Sequence, residues 1–207
     1  MPVALALRCC FESPVSCPAP QPRQDRDRAA APDETLLAWA AAGDRLAFDE
    51  LTLRHLSRVY SIVHRIVRDP AVAEETAQEV MFRAWQHAAR FDPGRARFTT
   101  WLHRIAVNLA LNRARAPLLQ PLETVAELAD TAAGPEDTLA AKENRLRLHA
   151  GLRRLPARQR AALALFYDQA LSGAEAAAAL SVSPRALEGL LRRARRFLVG
   201  QMRDEDG

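Results

Sequence analysis

The chain has 207 residues, of which 49% are hydrophobic, 29 are Lys or Arg and 25 are Asp or Glu, for a formal net charge of +4. This length and apolar content suffice for one medium domain or two small ones, and the lack of any apolar run of about eighteen residues argues against a membrane-spanning segment. Only Lys142 among the basic residues is a lysine, so the positive charge is carried by guanidinium groups, which suit phosphate and base-edge contacts.

The sequence predicts that residues 1–32 form a disordered leader. All three cysteines, Cys9, Cys10 and Cys17, lie there, ahead of a stretch rich in Pro, Arg and Asp. Their spacing matches no usual zinc pattern, so we expect no metal and no cofactor, although a redox role for the trio stays open. The short apolar start is followed by Arg8 rather than preceded by a basic residue, unlike a secretory signal. We therefore expect a cytoplasmic protein.

From Asp33 onward the pattern is almost wholly helical, with no convincing alternating strand. Four helices are predicted in a first domain, residues 33–116, and the first of them should stop at Gly43. Residues 117–138 carry five acidic residues, two prolines besides Pro117 and no base, which predicts a flexible acidic linker. A second helical domain is predicted over 139–200, with one helix beginning at Pro156, and an acidic tail over 201–207.

The second domain contains the stretch SGAEAAAALSVSPRALEGLLRRARRFL. Ser172 and Glu175 form a capping-box pattern that predicts a short helix, and Ser183 with Pro184 predicts the start of a second one. The second helix has one apolar face and one arginine-rich face. This arrangement fits a helix-turn-helix, but on local grounds a plain amphipathic hairpin fits equally well.

The fourth predicted helix offers a second candidate surface. Arg104, Asn108 and Asn112 recur at four-residue spacing beside an apolar stripe that includes Phe98 and Trp101. Arg and Asn are side chains that contact base edges and phosphates. Taken alone, an exposed Asn is common on helices, and the two aromatic residues favour a role in the core.

Three motifs in this order resemble one bacterial family. The chain carries AEETAQEVMFRAW, then FTTWLHRIAVNLALNRAR, then the acidic segment, then LRRLPARQRAALALFYDQALSGAEAAAALSVSPRALEGLLRRARRFL. Over about residues 33–198 this succession closely resembles the extracytoplasmic-function (ECF) sigma factors, which keep only the second and fourth conserved regions of the larger sigma family. The resemblance implies an all-α protein of two small helical domains, which directs core RNA polymerase to promoters and assists DNA melting, without acting as an enzyme.

The resemblance also implies a role for each surface of the first domain. In the family the AE-x-x-x-QE helix binds the clamp helices of the polymerase β′ subunit, and the next loop and helix recognise the -10 promoter element, with the loop taking a flipped base. The residues implied in polymerase binding are Glu75, Gln78, Glu79 and Arg83. Those implied at the -10 element are Arg97, Phe98, Arg104, Asn108, Asn112 and Arg113, whereas Trp101 is expected to stay in the core.

The second domain resembles the family's -35-recognising domain, which also contacts the polymerase β flap. The residues implied in DNA contact are Arg185, Glu188, Gly189, Arg192, Arg193 and Arg196. Glu188 and Leu190 stand where other members carry basic residues, and Ser181 stands where a turn glycine is frequent, so a changed -35 preference is expected. Because members of the family are commonly regulated by a cognate anti-sigma factor, the resemblance also implies such a factor as a further partner.

Three other classes of function are weighed against this one. A conventional helix-turn-helix regulator would bind promoter DNA unaided, whereas a sigma factor should bind it poorly without core polymerase. An enzyme is disfavoured because no phosphate-binding loop, metal-spaced His/Cys set or nucleophile motif occurs. A helical adaptor that mimics a sigma factor is disfavoured by the polar stripe from Arg104 to Asn112.

Overall fold

The computed structural model describes residues 27–115 and 139–204, with side chains described within 27–115 and 146–202. This part of the chain consists of helices and connecting turns, which confirms the all-α prediction. The expected linker at 117–138, the three cysteines and the end of the expected acidic tail lie outside the described residues.

The first four helices begin and end where local chemistry favours it. The side chain of Asp44 accepts a hydrogen bond from the Ala47 N–H, and Asp69 accepts one from Val72, so α2 and α3 each begin at an aspartate N-cap. Gly43 adopts a φ of 94°, which a residue without Cβ reaches freely, and ends α1 as predicted. The bounds are α1 Asp33–Ala41, α2 Arg45–Val67, α3 Pro70–Gln86 and α4 Phe98–Arg115, with a 3-10 turn at Ala88–Arg90.

Residues 27–32, which the sequence assigned to a disordered leader, form an ordered turn against α2. The guanidinium of Arg54 donates to the backbone carbonyls of Arg28, Ala29 and Ala31, and the guanidinium of Arg28 pairs with Asp44 at 3.0 Å. The prediction was wrong for residues 27–32. Arg54, more than twenty positions later in the sequence, donates hydrogen bonds to three of their backbone carbonyls, and no pattern within the segment indicates this contact.

The second half of the structure contains the helix pair that the sequence predicts. Its elements are α5 Leu139–Arg154, α6 Ala157–Leu163, a π-helical turn at Ala164–Asp168, α7 Gly173–Leu180 and α8 Pro184–Asp204. Pro156 is the N-cap of α6 rather than its first helical residue. Helix α8 runs to Asp204, into the segment that was expected to be a tail.

The two halves pack directly on each other. Helix α2 lies against α1, α3 and α4, while α4 also packs on α7 and α2 on α6. A single continuous core therefore includes Leu51 and Phe98 from the first half and Leu165 and Leu180 from the second. Helix α4 is thus held between α2 and α3 on one side and α7 on another.

Candidate nucleic-acid interface

The outward face of α4 carries the polar stripe that its spacing predicts. Arg104, Asn108 and Asn112 are all exposed, and four-residue spacing places them one turn apart on the same side of the helix. The other sides of α4 are buried among its neighbours. The stripe therefore faces solvent on a helix that its packing holds rigidly.

A cavity of about 340 Å³ lies beside the start of α4. Phe91 and Trp101 line it, with their ring centroids 5.3 Å apart. Arg90, Arg95 and Arg104 also line it. Aromatic faces stack on nucleobases and guanidinium groups pair with their edges or with phosphates, so this lining suits an unpaired base.

Two aromatic residues of this region differ in their accessibility. Phe98, a predicted -10 contact, is fully buried, with 0% of its surface exposed. Its ring lies 5.3 Å from that of His55 in an edge-to-face arrangement, so Phe98 supports α4 from within the core. Trp101, which was expected in the core, is only half-buried and faces the cavity. In this structure Trp101, rather than Phe98, is the aromatic residue of α4 that a base could reach.

The two remaining predicted -10 residues are exposed but occupied by ion pairs. Arg97 lies 3.7 Å from the carboxylate of Glu175 at the start of α7. Arg113 donates to Glu75 on α3 at 2.6 Å, which joins a predicted DNA contact to a predicted polymerase contact. Exposed pairs of this kind contribute little to stability, so either arginine can exchange its partner for a phosphate at small cost.

The predicted polymerase-binding residues lie together on α3. Glu75, Gln78 and Arg83 are exposed, and Glu79 pairs with Arg83 at 2.6 Å. Phe82, which is not among the predicted contacts, is 56% exposed and lies on the same face between them. The signal that could have found it is its position off the apolar stripe of α3. Exposed aromatic side chains in a polar rim are frequent anchors of protein interfaces.

The helix-turn-helix is built by the capping chemistry that its sequence predicts. The Glu175 N–H donates to the Ser172 hydroxyl at 3.2 Å, and the Ser172 N–H donates to the Glu175 carboxylate at 3.0 Å. The Ser172 hydroxyl also donates to the Glu175 carboxylate at 2.7 Å, and this hydrogen bond, together with the one from the Ser172 N–H, lowers the pKa of Glu175. Ser181 ends α7 in the left-handed conformation, with a φ of 54°, and Ser183 caps α8 by accepting from the Ala186 N–H at 3.2 Å.

Helix α8 separates its apolar and cationic faces cleanly. Leu187, Leu191 and Ala194 are buried against the rest of the second half. Gly189 is half-buried, and a Cβ placed on it would lie 3.4 Å from the Arg193 guanidinium, so Arg193 folds back over this position. The predicted -35 residues that are exposed are Arg185, Glu188, Arg192, Arg193 and Arg196.

Arg195 is a further exposed arginine of α8, beside the predicted -35 residues. Its guanidinium lies 5.5 Å from the centre of the Tyr167 ring and donates to the Tyr167 hydroxyl. A second cavity, of about 260 Å³, lies between α7 and α8 and is lined in part by Arg192, Arg195 and Gly173. Besides these two arginines, the acidic side chain of Glu188 also lines the cavity.

The described residues offer little to any other class of site. Within 27–115 and 139–204, no group of three or more His, Cys, Asp and Glu side chains could hold a metal ion. In that same part of the chain, every helix is too short or too polar to cross a bilayer.

Matches to known families agree with this arrangement of two surfaces. The family model for Sigma-70 region 2 matches residues 51–116, and that for Sigma-70, region 4 matches residues 145–198. The first match contains α3 and α4, and the second contains the helix-turn-helix. The fold and its surfaces thus define a two-region sigma factor.

Relatives narrow the class further. The ECF RNA polymerase sigma factor SigM of Mycobacterium tuberculosis is 36% identical over 170 residues, which cover 81% of this chain and 83% of SigM. The ECF RNA polymerase sigma factor SigK of Mycobacterium bovis is 30% identical over 169 residues, which cover 80% of this chain and 90% of SigK. The chain belongs to the ECF family of RNA polymerase sigma factors.

Solved structures share the fold. CnrH, determined in complex with the cytosolic domain of CnrY, is 27% identical, with a TM-score of 0.63 over 84% of this chain and 99% of CnrH. The sigma factor RpoE of Bartonella quintana, determined with the anti-sigma factor NepR, is 18% identical, with a TM-score of 0.53 over 75% of this chain and 96% of RpoE. The RpoE likeness concerns the fold alone.

Proposed function

We propose that this chain is an alternative sigma factor that binds core RNA polymerase in the cytoplasm and directs it to promoters with particular -10 and -35 elements. The observation that supports this most is the presence of two exposed, arginine-bearing helix faces, on α4 and α8, in a chain that matches both sigma regions. The chain performs no catalytic step in this role. It stabilises an open complex that the polymerase forms.

The α4 stripe and its cavity are proposed to bind the -10 element. Arg104, Asn108 and Asn112 would contact bases and backbone, and Arg97 and Arg113 would contact phosphates after leaving their acidic partners. A base that has already left the duplex stack is cheaper to capture than a paired one, so a cavity lined by Phe91 and Trp101 would favour the melted state. This is how binding energy would assist melting.

The outward face of α8 is proposed to enter the major groove at the -35 element. Its arginines, Arg185, Arg192, Arg193 and Arg196, would mainly contact phosphates, which position the helix without specifying sequence. Glu188 is the acceptor on this face and would favour a cytosine amino group. Gly189 would let the helix approach the groove closely.

The α3 face is proposed to bind the β′ clamp helices, and the second half to bind the β flap. Glu75, Gln78, Glu79 and Arg83 would form the polar part of the β′ contact, with Phe82 as its apolar anchor. An anti-sigma factor is proposed as the regulating partner, and CnrH, which shares the fold, was determined in complex with the cytosolic domain of CnrY.

Run-off transcription with purified core polymerase and a promoter library tests the proposal. We expect specific transcripts only when chain and core are both present, and weak promoter binding by the chain alone. Specific promoter binding without polymerase, together with no transcripts in its presence, would instead support a conventional helix-turn-helix regulator.

Variants of the two surfaces test the residue assignments in the same assay. Asn108→Ala should change the preferred -10 sequence, and Arg193→Ala should weaken -35 binding about equally across sequences and reduce the salt dependence by about one phosphate contact. Arg45→Ala, an exposed arginine at the start of α2, is the control and should change neither. If both site variants behave like Arg45→Ala, the assignments are wrong.

A further inference from the structure

The two halves of the chain are joined by a guanidinium that serves as a C-terminal cap for a helix of the other half. Arg160 on α6 donates from Nε to the Arg65 carbonyl at 3.1 Å and from Nη2 to the Ile66 carbonyl at 2.6 Å. Both carbonyls belong to the last turn of α2, where no intrahelical donor remains for them. Its third nitrogen, Nη1, donates to the Leu155 carbonyl in its own half.

The charge of Arg160 suits this position. The C-terminal end of a helix carries a partial negative charge, which a cation stabilises. Burial, with a smaller effect of Arg68, lowers the pKa of Arg160 to about 10, so the side chain stays protonated at neutral pH. The contact is therefore charge-assisted and partly shielded from solvent, which makes it stronger than an exposed pair.

Further contacts cross the same boundary. Arg65 pairs with Asp168 at the end of the π-helical turn, at 3.0 Å, and Arg68 donates to the Arg153 carbonyl. The Arg97 to Glu175 pair lies at 3.7 Å with the arginine 80% exposed, so it adds little. The Arg160 cap is the most buried polar link among these and the one that we expect to dominate.

In this structure the two halves are packed against each other, an arrangement that we call closed. The closed arrangement conflicts with simultaneous binding of two promoter elements. Helix α4 packs on α7, and α7 packs on α8; since the axes of packed helices lie about 8–10 Å apart, the axes of α4 and α8 lie within roughly 20 Å of each other. The -10 and -35 elements lie more than one turn of duplex apart, and one turn alone is about 34 Å long. The halves must therefore separate before each can bind its element, and the 22 residues 117–138 allow this because they reach about 75 Å when extended.

We propose that Arg160 is an autoinhibitory latch, which holds the free chain closed by capping α2 and is released when the two halves engage polymerase and promoter. The consequence for promoters rests on the proposed function, whereas the latch itself is a property of the isolated chain. Removing two charge-assisted hydrogen bonds should raise the open fraction at least tenfold. Because apparent affinity scales with the competent fraction, the dissociation constant for core polymerase should fall by up to the same factor.

Single-molecule energy transfer in the full-length chain tests the latch. Dyes would be attached at Ala89→Cys and Leu146→Cys, both exposed positions, after Cys9, Cys10 and Cys17 are changed to serine. We expect the otherwise native chain to populate mainly the state of higher transfer, and Arg160→Gln to populate the state of lower transfer at least tenfold more. The matched control is Arg158→Gln, an exposed arginine of the same helix, which should leave the populations unchanged.

A second variant guards against a folding defect in Arg160→Gln. Arg65→Gln removes the pair with Asp168 from a side chain that is 45% exposed, and should shift the populations in the same direction but less. Circular dichroism would confirm that both variants keep native helicity. Equal populations in the native chain, Arg160→Gln and Arg65→Gln would overturn the latch, and so would a native chain that is already mainly open.

Run-off transcription separates failure of the latch from failure of the proposed function. If the native chain supports initiation but Arg160→Gln leaves both the populations and the polymerase affinity unchanged, the latch is overturned and the sigma function stands. If no variant supports initiation while Arg160→Gln opens the chain, the latch stands and the proposed function is overturned.

Discussion

The carboxylate of Glu34 on α1 accepts a hydrogen bond from the backbone N–H of Phe98, the first residue of α4, at 3.1 Å. The two residues are 64 positions apart. The first N–H groups of a helix lack intrahelical acceptors, so Glu34 supplies from another helix what an N-cap supplies locally. It thereby fixes the start of the helix that carries the proposed -10 surface.

Replacing Glu34 by alanine should destabilise the fold by about 1–2 kcal/mol, since a charge-assisted cap is lost at a partly buried N–H. Urea unfolding at pH 7, followed by circular dichroism, measures the effect. Asp49→Ala, at an exposed position of α2, is the control and should stay within about 0.5 kcal/mol of the native chain. Equal stability of the two variants would contradict a capping role for Glu34.

Replacing Ser181 by glycine should stabilise the chain. Ser181 holds a φ of 54° at the end of α7, a conformation that costs an ordinary L-residue about 1–2 kcal/mol. Glycine avoids that cost but loses more entropy on folding, so a net gain of about 0.5–1 kcal/mol is expected in the same unfolding experiment. Ala178→Gly, at an exposed helical position three residues earlier, should destabilise by about 1 kcal/mol. Loss of stability in both variants would argue against strain at Ser181.

The sequence predicts the parts of this fold that depend on near neighbours. The capping box of Ser172 and Glu175, the cap at Ser183 and the stop at Gly43 each involve residues within a few positions, and the structure confirms all three. The exposed stripe of Arg104, Asn108 and Asn112 follows from helical period alone, and it too is found as predicted.

The parts that the sequence could not predict depend on contacts between distant residues. Arg160 reaches carbonyls 94 and 95 positions away, and nothing in its neighbours distinguishes it from Arg158. The alanine-rich face of α7 was expected to pack on another element, and in the structure it packs on α4 in the other half. A hydrophobic periodicity indicates that a helix face is buried but not which element covers it. Phe98 and Trp101 both lie on the apolar stripe of α4, and which ring meets solvent depends on contacts with other elements, such as that of Phe98 with His55 on α2.

Acidification should destabilise the chain through His103. This side chain is 4% exposed, and its Nδ1 has no hydrogen-bond partner in the described structure. Burial lowers the pKa of His103 to about 4, with His55 and Arg58 adding to the effect and Glu175 opposing it. An unfolded histidine has a pKa of about 6.5, so between pH 6.5 and 4 the unfolded chain binds a proton that the folded chain does not, and stability falls as pH falls.

The resulting loss is roughly 2–3 kcal/mol between pH 7 and pH 4.5. It is measured as the difference in unfolding free energy between the two pH values, compared with the same difference for His103→Leu, which removes the titrating group at similar volume. His87→Gln, an exposed histidine of the same half, should keep the native pH dependence. If His103→Leu loses as much stability on acidification as the native chain, another group is responsible.

Replacing Gly189 by alanine should strengthen the fold and weaken -35 binding. Gly189 is helical and lies on the outward side of α8, so alanine should add about 0.5–1 kcal/mol through helix propensity. Its Cβ would lie 3.4 Å from the Arg193 guanidinium, an ordinary van der Waals contact, so the folded chain accommodates it. The substitution adds a methyl group where the helix would meet the groove.

Two measurements on Gly189→Ala therefore should change in opposite directions. Thermal unfolding should shift upward, while transcription from promoters that depend on the -35 element should fall about tenfold, as expected for one disturbed groove contact worth about 1–3 kcal/mol. Gly200→Ala is the control, because a Cβ there meets no atom within 4 Å; it should raise stability and leave transcription unchanged. A stabilised Gly189→Ala chain with native transcription would show that this face of α8 does not approach the DNA.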